Sequence, residues 1–192
     1  MHITAILKFI NDHPIAKTED LTTSEINSNF VKPETKGTNQ SYSWKYVDLK
    51  DETTGVPLVS TATVFVSHAW RYAFCDVVVD VMEQYAIKYP DTYVWFDLFM
   101  NDQSEMDIKD FDWFSSIFKN IIRDIRQVLL VLSPWDDPMP IKRECCLFQI
   151  HNALQQESSC MSLCVKLRSS GVMEGSKCVI QSLSDTQAEK AE

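Results

Sequence analysis

Glycine is scarce, with four in 192 residues. None stands in a GxGxxG or GKT setting, so the chain has no glycine-rich loop whose backbone N–H groups could cradle a phosphate. Positive charge is also short. Lysine and arginine number 18 against 27 aspartates and glutamates, a net charge of −9. With no basic cluster to offset it, that balance argues against nucleic acid or an anionic membrane surface as a partner. No apolar run approaches the roughly 20 residues of a membrane span. Met1 to Ile10 has neither a basic leading region nor a small-residue cleavage site, so no signal peptide is read and a cytoplasmic location is expected. The six cysteines (Cys75, Cys145, Cys146, Cys160, Cys164, Cys178) show no CxxC spacing, and His151 is the only histidine close to Cys160 and Cys164. A metal is therefore not expected, and reduced, packed cysteines account for the set. No repeat with a period of about 20–50 residues is present, and no GxSxG elbow.

What remains is the composition of an ordinary globular domain, 45% hydrophobic and 23% charged, long enough for one core. Residues 1–58 are polar and uneven. They read as an N-terminal extension, partly irregular, that lies against the main domain or stays mobile. Within it, Thr23 to Val31 suggests a short capped helix ending before Pro33, and 36–40 and 50–55 suggest loops.

From Thr61 the pattern changes, and residues 59–192 read as an α/β domain. Thr63 to Ser67 is a β-branched apolar run, a buried strand. Ala73 to Tyr89 carries apolar residues at helical spacing and is stopped by Pro90. Thr92 to Phe96 is a second strand, ending at Asp97, followed by an acidic loop from Asn101 to Asp110. Trp113 to Ile122 marks an amphipathic helix. Val128 to Leu132, the most apolar run, is a central strand. Ile141 to Gln155 reads as a helix, Met161 to Leu167 as a fourth strand, and Val172 to Glu192 as a last helix with Ile180 and Leu183 inward. Alternating strands and helices predict right-handed crossovers and a central parallel sheet of four to five strands with helices on both faces, a flavodoxin-like three-layer sandwich. Ligands of such sheets bind beyond the carboxyl ends of the strands. Here those ends are Ser67-His68, Asp97-Leu98 and Ser133-Pro134.

Four segments carry a resemblance. Phe65-Val66-Ser67-His68-Ala69-Trp70, Val94-Trp95-Phe96-Asp97, Val131-Leu132-Ser133-Pro134 and Cys145-Cys146-Leu147-Phe148-Gln149-Ile150 follow one another in the order of motifs of the TIR (Toll/interleukin-1 receptor) superfamily. The chain resembles that family over about Thr61 to Leu167, most closely the TIR-like modules of eukaryotic microbes and simple invertebrates. It departs from the pattern in three places. The family's Trp before Cys is Cys145 here, and its Glu is Gln149. The loop after the second strand carries Met100-Asn101-Asp102-Gln103 instead of a Pro-Gly turn.

The resemblance implies association with TIR-like domains or with itself. It also implies NAD+ as a possible substrate, because some TIR domains cleave the nicotinamide–ribose bond. The transition state of that cleavage is oxocarbenium-like, and a carboxylate stabilises the growing positive charge. Gln149 has nearly the same shape but no charge. Losing one such group commonly costs on the order of 10²–10³ in rate. Glu144 does not replace it, since five residues at ~100° each turn it about 140° round the helix. Asp97 is the better substitute, with Asp136 and Asp137 in the preceding loop.

The expected substrate-binding set is Ser67, His68, Trp70, Asp97, Ser133 and Cys146. Each has a plainer reading beside it. His68 is an acid/base or adenine contact, or a hydrogen-bonded loop histidine. Trp70 and Trp95 stack on a base or pack in the core. Cys145 and Cys146, lacking an oriented base, pack rather than attack. Two functions follow: a catalytically impaired TIR-like interaction and signalling module, or an NAD glycohydrolase. A receiver domain would need an acidic cluster at the first strand's end, which Ser67-His68 is not.

Overall fold

The computed structural model describes residues 1–106, 111–134, 139–142, 146–147, 151, 160–166 and 178–182. Residues 1–58, polar and uneven as sequence, form short helices. In α1 (Ile3–Asp12) the residues Ala5, Ile6, Phe9 and Ile10 share one buried face, the spacing of an amphipathic helix. After α2 (Ile15–Thr18) comes α3 (Thr23–Ile26), opened by a capping box in which Thr22 and Glu25 bond each other's backbone N–H groups. The helical path does not stop before Pro33, as the sequence suggested. A π turn, Asn27–Val31, lets the Lys32 N–H reach back to the Asn27 carbonyl. Pro33 then sits in α4 (Lys32–Thr35), directly after the widened turn. A 3₁₀ helix, Tyr42–Tyr46, closes the segment.

Next come β1 (Val64–Ser67), a second π turn (Phe74–Val79) and α5 (Asp80–Lys88), which ends ahead of Pro90. β2 is short (Val94–Trp95). A single-turn helix, α6 (Asp97–Met100), follows, and the stretch read as an acidic loop holds another, α7 (Gln103–Met106). α8 (Phe111–Ile125) is longer than the apolar stripe that announced it, and ends on Arg126 at φ 61°. β3 (Gln127–Leu132), a 3₁₀ turn (Met139–Lys142), β4 (Cys160–Lys166) and β5 (Cys178–Ser182) complete the described chain.

The architecture is α/β, with an open sheet whose heart is three parallel strands. β1 lies between β2 and β3 and is parallel to both. β4 runs parallel to β3 on its far side, and β5 pairs antiparallel with β4, giving the order β2-β1-β3-β4-β5. The helix expected over 172–192 is thus replaced, at 178–182, by a strand. The backbone edge of β4 offers a ladder, and the run Cys178-Val179-Ile180 suits a pleated surface better than a helix. Most of the helix expected over 141–155 lies outside the described residues, with Cys146, Leu147 and His151 helical.

Both faces of the three strands are covered, each by its own set of side chains. Val64, Val66, Leu129 and Val131 point into a core built with α1, α5 and the other N-terminal helices. Phe65, Val128, Leu130 and Leu132 point the other way, onto Phe118 and Ile122 of α8. This is the period-2 alternation of a strand, with both faces apolar because both are buried. Phe9 anchors the first core, with the rings of Tyr42, Phe74 and Phe99 between 4.9 and 6.1 Å of its own. Residues on either side of position 58 therefore share one core. The N-terminal residues also cover the outer edge of β2, where Met1 and Val94 exchange backbone bonds of 2.7 Å.

Candidate functional site

The sheet reverses its winding at β1, with β2 on one side and β3 on the other. The carboxyl ends of β1 and β3 then flank the crevice where doubly wound sheets hold ligands. Ser67 ends β1 and is 1% exposed; His68 follows at 5%, and Ser133, just past β3, stands at 8%. Asp97 opens α6 immediately after β2 and is half-buried, as is Trp70. Five of the six expected binding residues therefore collect at one end of three adjacent strands. The sixth, Cys146, reaches the same region, donating its thiol toward the His68 carbonyl at 3.6 Å. Gln149, Glu144, Cys145, Asp136 and Asp137 lie outside the described residues.

The loop from His68 to Ala73 ties these ends together. Trp70 sends its indole N–H to Asp97 Oδ2 at 2.8 Å. Tyr72, two residues on, takes the Ser133 N–H on its hydroxyl at 3.0 Å. One loop leaving β1 thus grips the exit of β2 with one aromatic side chain and the exit of β3 with another. Burial holds the Tyr72 phenol above its ordinary pKa, opposed by the Ser133 and Met139 backbone N–H groups, so it is a neutral hydroxyl. The His68 ring lies nearly parallel to the Trp70 indole, 6.5 Å between centroids at 20°, and tilts against Phe96 at 4.9 Å.

Two residues take the plainer of their readings. Trp95 is not available for stacking on a base. It is 9% exposed and packs against Phe65 at 5.1 Å and edge-on to Phe118 at 5.9 Å. Strand alternation sends its side chain to the α8 face rather than to the strand end. Cys146 is 2% exposed with its thiol directed at a carbonyl, the role of a packing group rather than a nucleophile. Cys75 behaves alike: burial pushes its thiol up to about 11, and it donates to the Ala16 carbonyl at 3.4 Å. Neither thiol is in a disulfide.

Two residues escaped the sequence reading. Tyr72 follows the Ser-His-Ala-Trp segment but belongs to no motif, and only the fold brings it to Ser133. Gln103 sat in the stretch read as a loop. It is 2% exposed and donates to the carbonyls of Asp97 at 2.8 Å and Leu98 at 3.0 Å, closing the turn that presents Asp97. A fully buried glutamine in a polar stretch leaves no periodic signal. Among the described residues, no group of three or more His, Cys, Asp or Glu side chains could hold a metal ion, and no helix is long and apolar enough to cross a membrane. Comparison with family models, curated proteins and solved structures found no match to this chain.

Proposed function

We propose that this chain is a TIR-like signalling and interaction module, catalytically impaired, which acts in the cytoplasm by associating with TIR-like domains or with itself. The observation that carries this reading is the bond between Trp70 and Asp97. The carboxylate best placed to stand in for a missing Glu has one oxygen engaged by an indole donor 2.8 Å away. It serves to hold two strand exits together, while position 149 offers a neutral amide. The indole bond leaves the Asp97 charge in place but fixes it between the strand exits, and the amide at position 149 adds no second anion for ribosyl-bond cleavage. The strand order, reversing at β1, is in keeping with a flavodoxin-like three-layer sandwich of four to five strands. Trp44, Val47 and Leu49, all exposed along and after the 3₁₀ helix, offer apolar surface for association.

The test is concentration-dependent light scattering on the purified chain. The reading expects a mass that rises with concentration; a strict monomer throughout would remove self-association and leave only a TIR-like partner of different sequence.

A second reading, an NAD glycohydrolase, draws on the convergence of Ser67, His68, Asp97 and Ser133 at the sheet's reversal. Under that reading the pocket would still admit NAD+, and Gln149→Glu would restore what the amide lacks.

A further inference from the structure

The loop that grips the strand exits is itself held from outside. Its carbonyls do not point into solvent. The Tyr72 carbonyl takes the Thr23 N–H at 3.1 Å, and the Trp70 carbonyl takes the Ser24 N–H at 3.0 Å. Just beyond, Phe74 N–H bonds the Leu21 carbonyl at 2.8 Å, and Thr22 bridges Ala73. Thr23 and Ser24 begin α3, so these two N–H groups have no partner inside the helix and would otherwise face water. The capping box fixes that turn: Thr22 Oγ1 takes the Glu25 N–H at 3.3 Å, and Glu25 returns to the Thr22 N–H at 2.8 Å.

From these bonds we infer that the first turn of α3 is a positioning element of the strand-end site, acting through Trp70 and Tyr72. Thr23 and Ser24 fix the backbone of the β1-exit loop. That backbone fixes the indole on Asp97 and the hydroxyl on the Ser133 N–H. Residues far from the strands in sequence, inside the segment read as an extension, thereby set the spacing of all three strand exits. π turns border the arrangement on both sides, Asn27–Val31 after α3 and Phe74–Val79 after the loop, and such turns are enriched beside functional sites. The importance of this coupling rests on the strand ends being the binding site, but its readout does not depend on any turnover.

The experiment is Ser24→Pro in the full chain, read by ¹H–¹⁵N NMR. Ser24 is exposed and lies in the first helical turn, so the change removes the donor to the Trp70 carbonyl with little lost packing. Ser28→Ala, one turn on and also exposed, is the comparison: it removes the Ser28 hydroxyl's 3.0 Å bond to the Ser24 carbonyl but leaves the Ser24 N–H on the Trp70 carbonyl. In Ser24→Pro the Trp70 indole N–H and the Ser133 amide should shift and exchange about three- to tenfold faster, the effect of one neutral hydrogen bond. The β1 amides should keep their protection, and Ser28→Ala should leave all of these signals in place. A folded Ser24→Pro protein with unchanged Trp70 and Ser133 signals would overturn the inference. Should that variant not fold, Thr22→Ala keeps every backbone donor, loosens the same turn and carries the same expectation.

Discussion

At Glu34 three donors meet one carboxylate. Lys45 Nζ and the Tyr42 hydroxyl reach Oε2, the latter at 2.9 Å, while His13 Nε2 meets Oε1 at 2.5 Å. Partial burial raises the carboxyl's pKa, but the hydrogen bonds from Lys45, His13 and Tyr42 outweigh it and hold it below the ordinary range. A carboxyl depressed in the folded state contributes stability above its unfolded pKa, near 4.5, and loses it as pH falls through the lower folded value. Glu34→Gln should therefore cost on the order of 1 kcal/mol at neutral pH. The gap from the unaltered protein should close as pH drops below that unfolded value, which urea titrations at several pH values would follow. Thr23 presents the opposite case. Its side chain is fully buried and its Oγ1 has no hydrogen-bond partner among the described residues. An unsatisfied buried hydroxyl is a standing cost, so Thr23→Val should raise stability by about 1 kcal/mol, while the Thr22 cap and the Thr23 N–H remain. A loss of stability in urea denaturation would mean that the hydroxyl has a partner in solution.

Among the elements, α1 shows how much of the fold its sequence could carry. Ile3 to Asp12 has the 3.6-residue stripe of a core helix, yet the polar residues after it make the segment read as an extension. The structure buries Ala5, Ile6 and Phe9 completely. Phe9→Ala should cost about 3–5 kcal/mol, enough to be seen as a large drop in thermal midpoint; a shift of only a degree or two would mean that α1 is a detachable arm. β1 and β3 were legible because Val64-Phe65-Val66 and Val128 to Leu132 are apolar on both faces, and only a strand covered on both sides needs that. The π turns at Asn27–Val31 and Phe74–Val79 were not legible, because a one-residue widening of a helix leaves the hydrophobic period almost unchanged. β5 was misread because Ile180 and Leu183 sit three apart, a helical interval, while the backbone pairing that places 178–182 beside β4 is not written in the segment itself. Gln103 and Tyr72 were missed for a related reason: each acts on a residue that only the fold brings near.

Taken as a whole, the molecule is a sheet whose two faces are closed by different parts of the chain, α8 on one and the N-terminal helices with α5 on the other. The strand-end set could be anticipated because sheet topology dictates where strands end, and Ser67, His68, Asp97 and Ser133 do gather there. The grip of Trp70 on Asp97 and of Tyr72 on Ser133 could not, because it depends on the path of a single loop. Those bonds brace the corner where the strand exits meet. The most direct test is release of nicotinamide from a fluorescent NAD analogue by the purified chain, measured beside Gln149→Glu. The account predicts no release above background from the unaltered protein, and at most turnover in the Glu variant. Release by the unaltered protein at a rate equal to that of Gln149→Glu would contradict it.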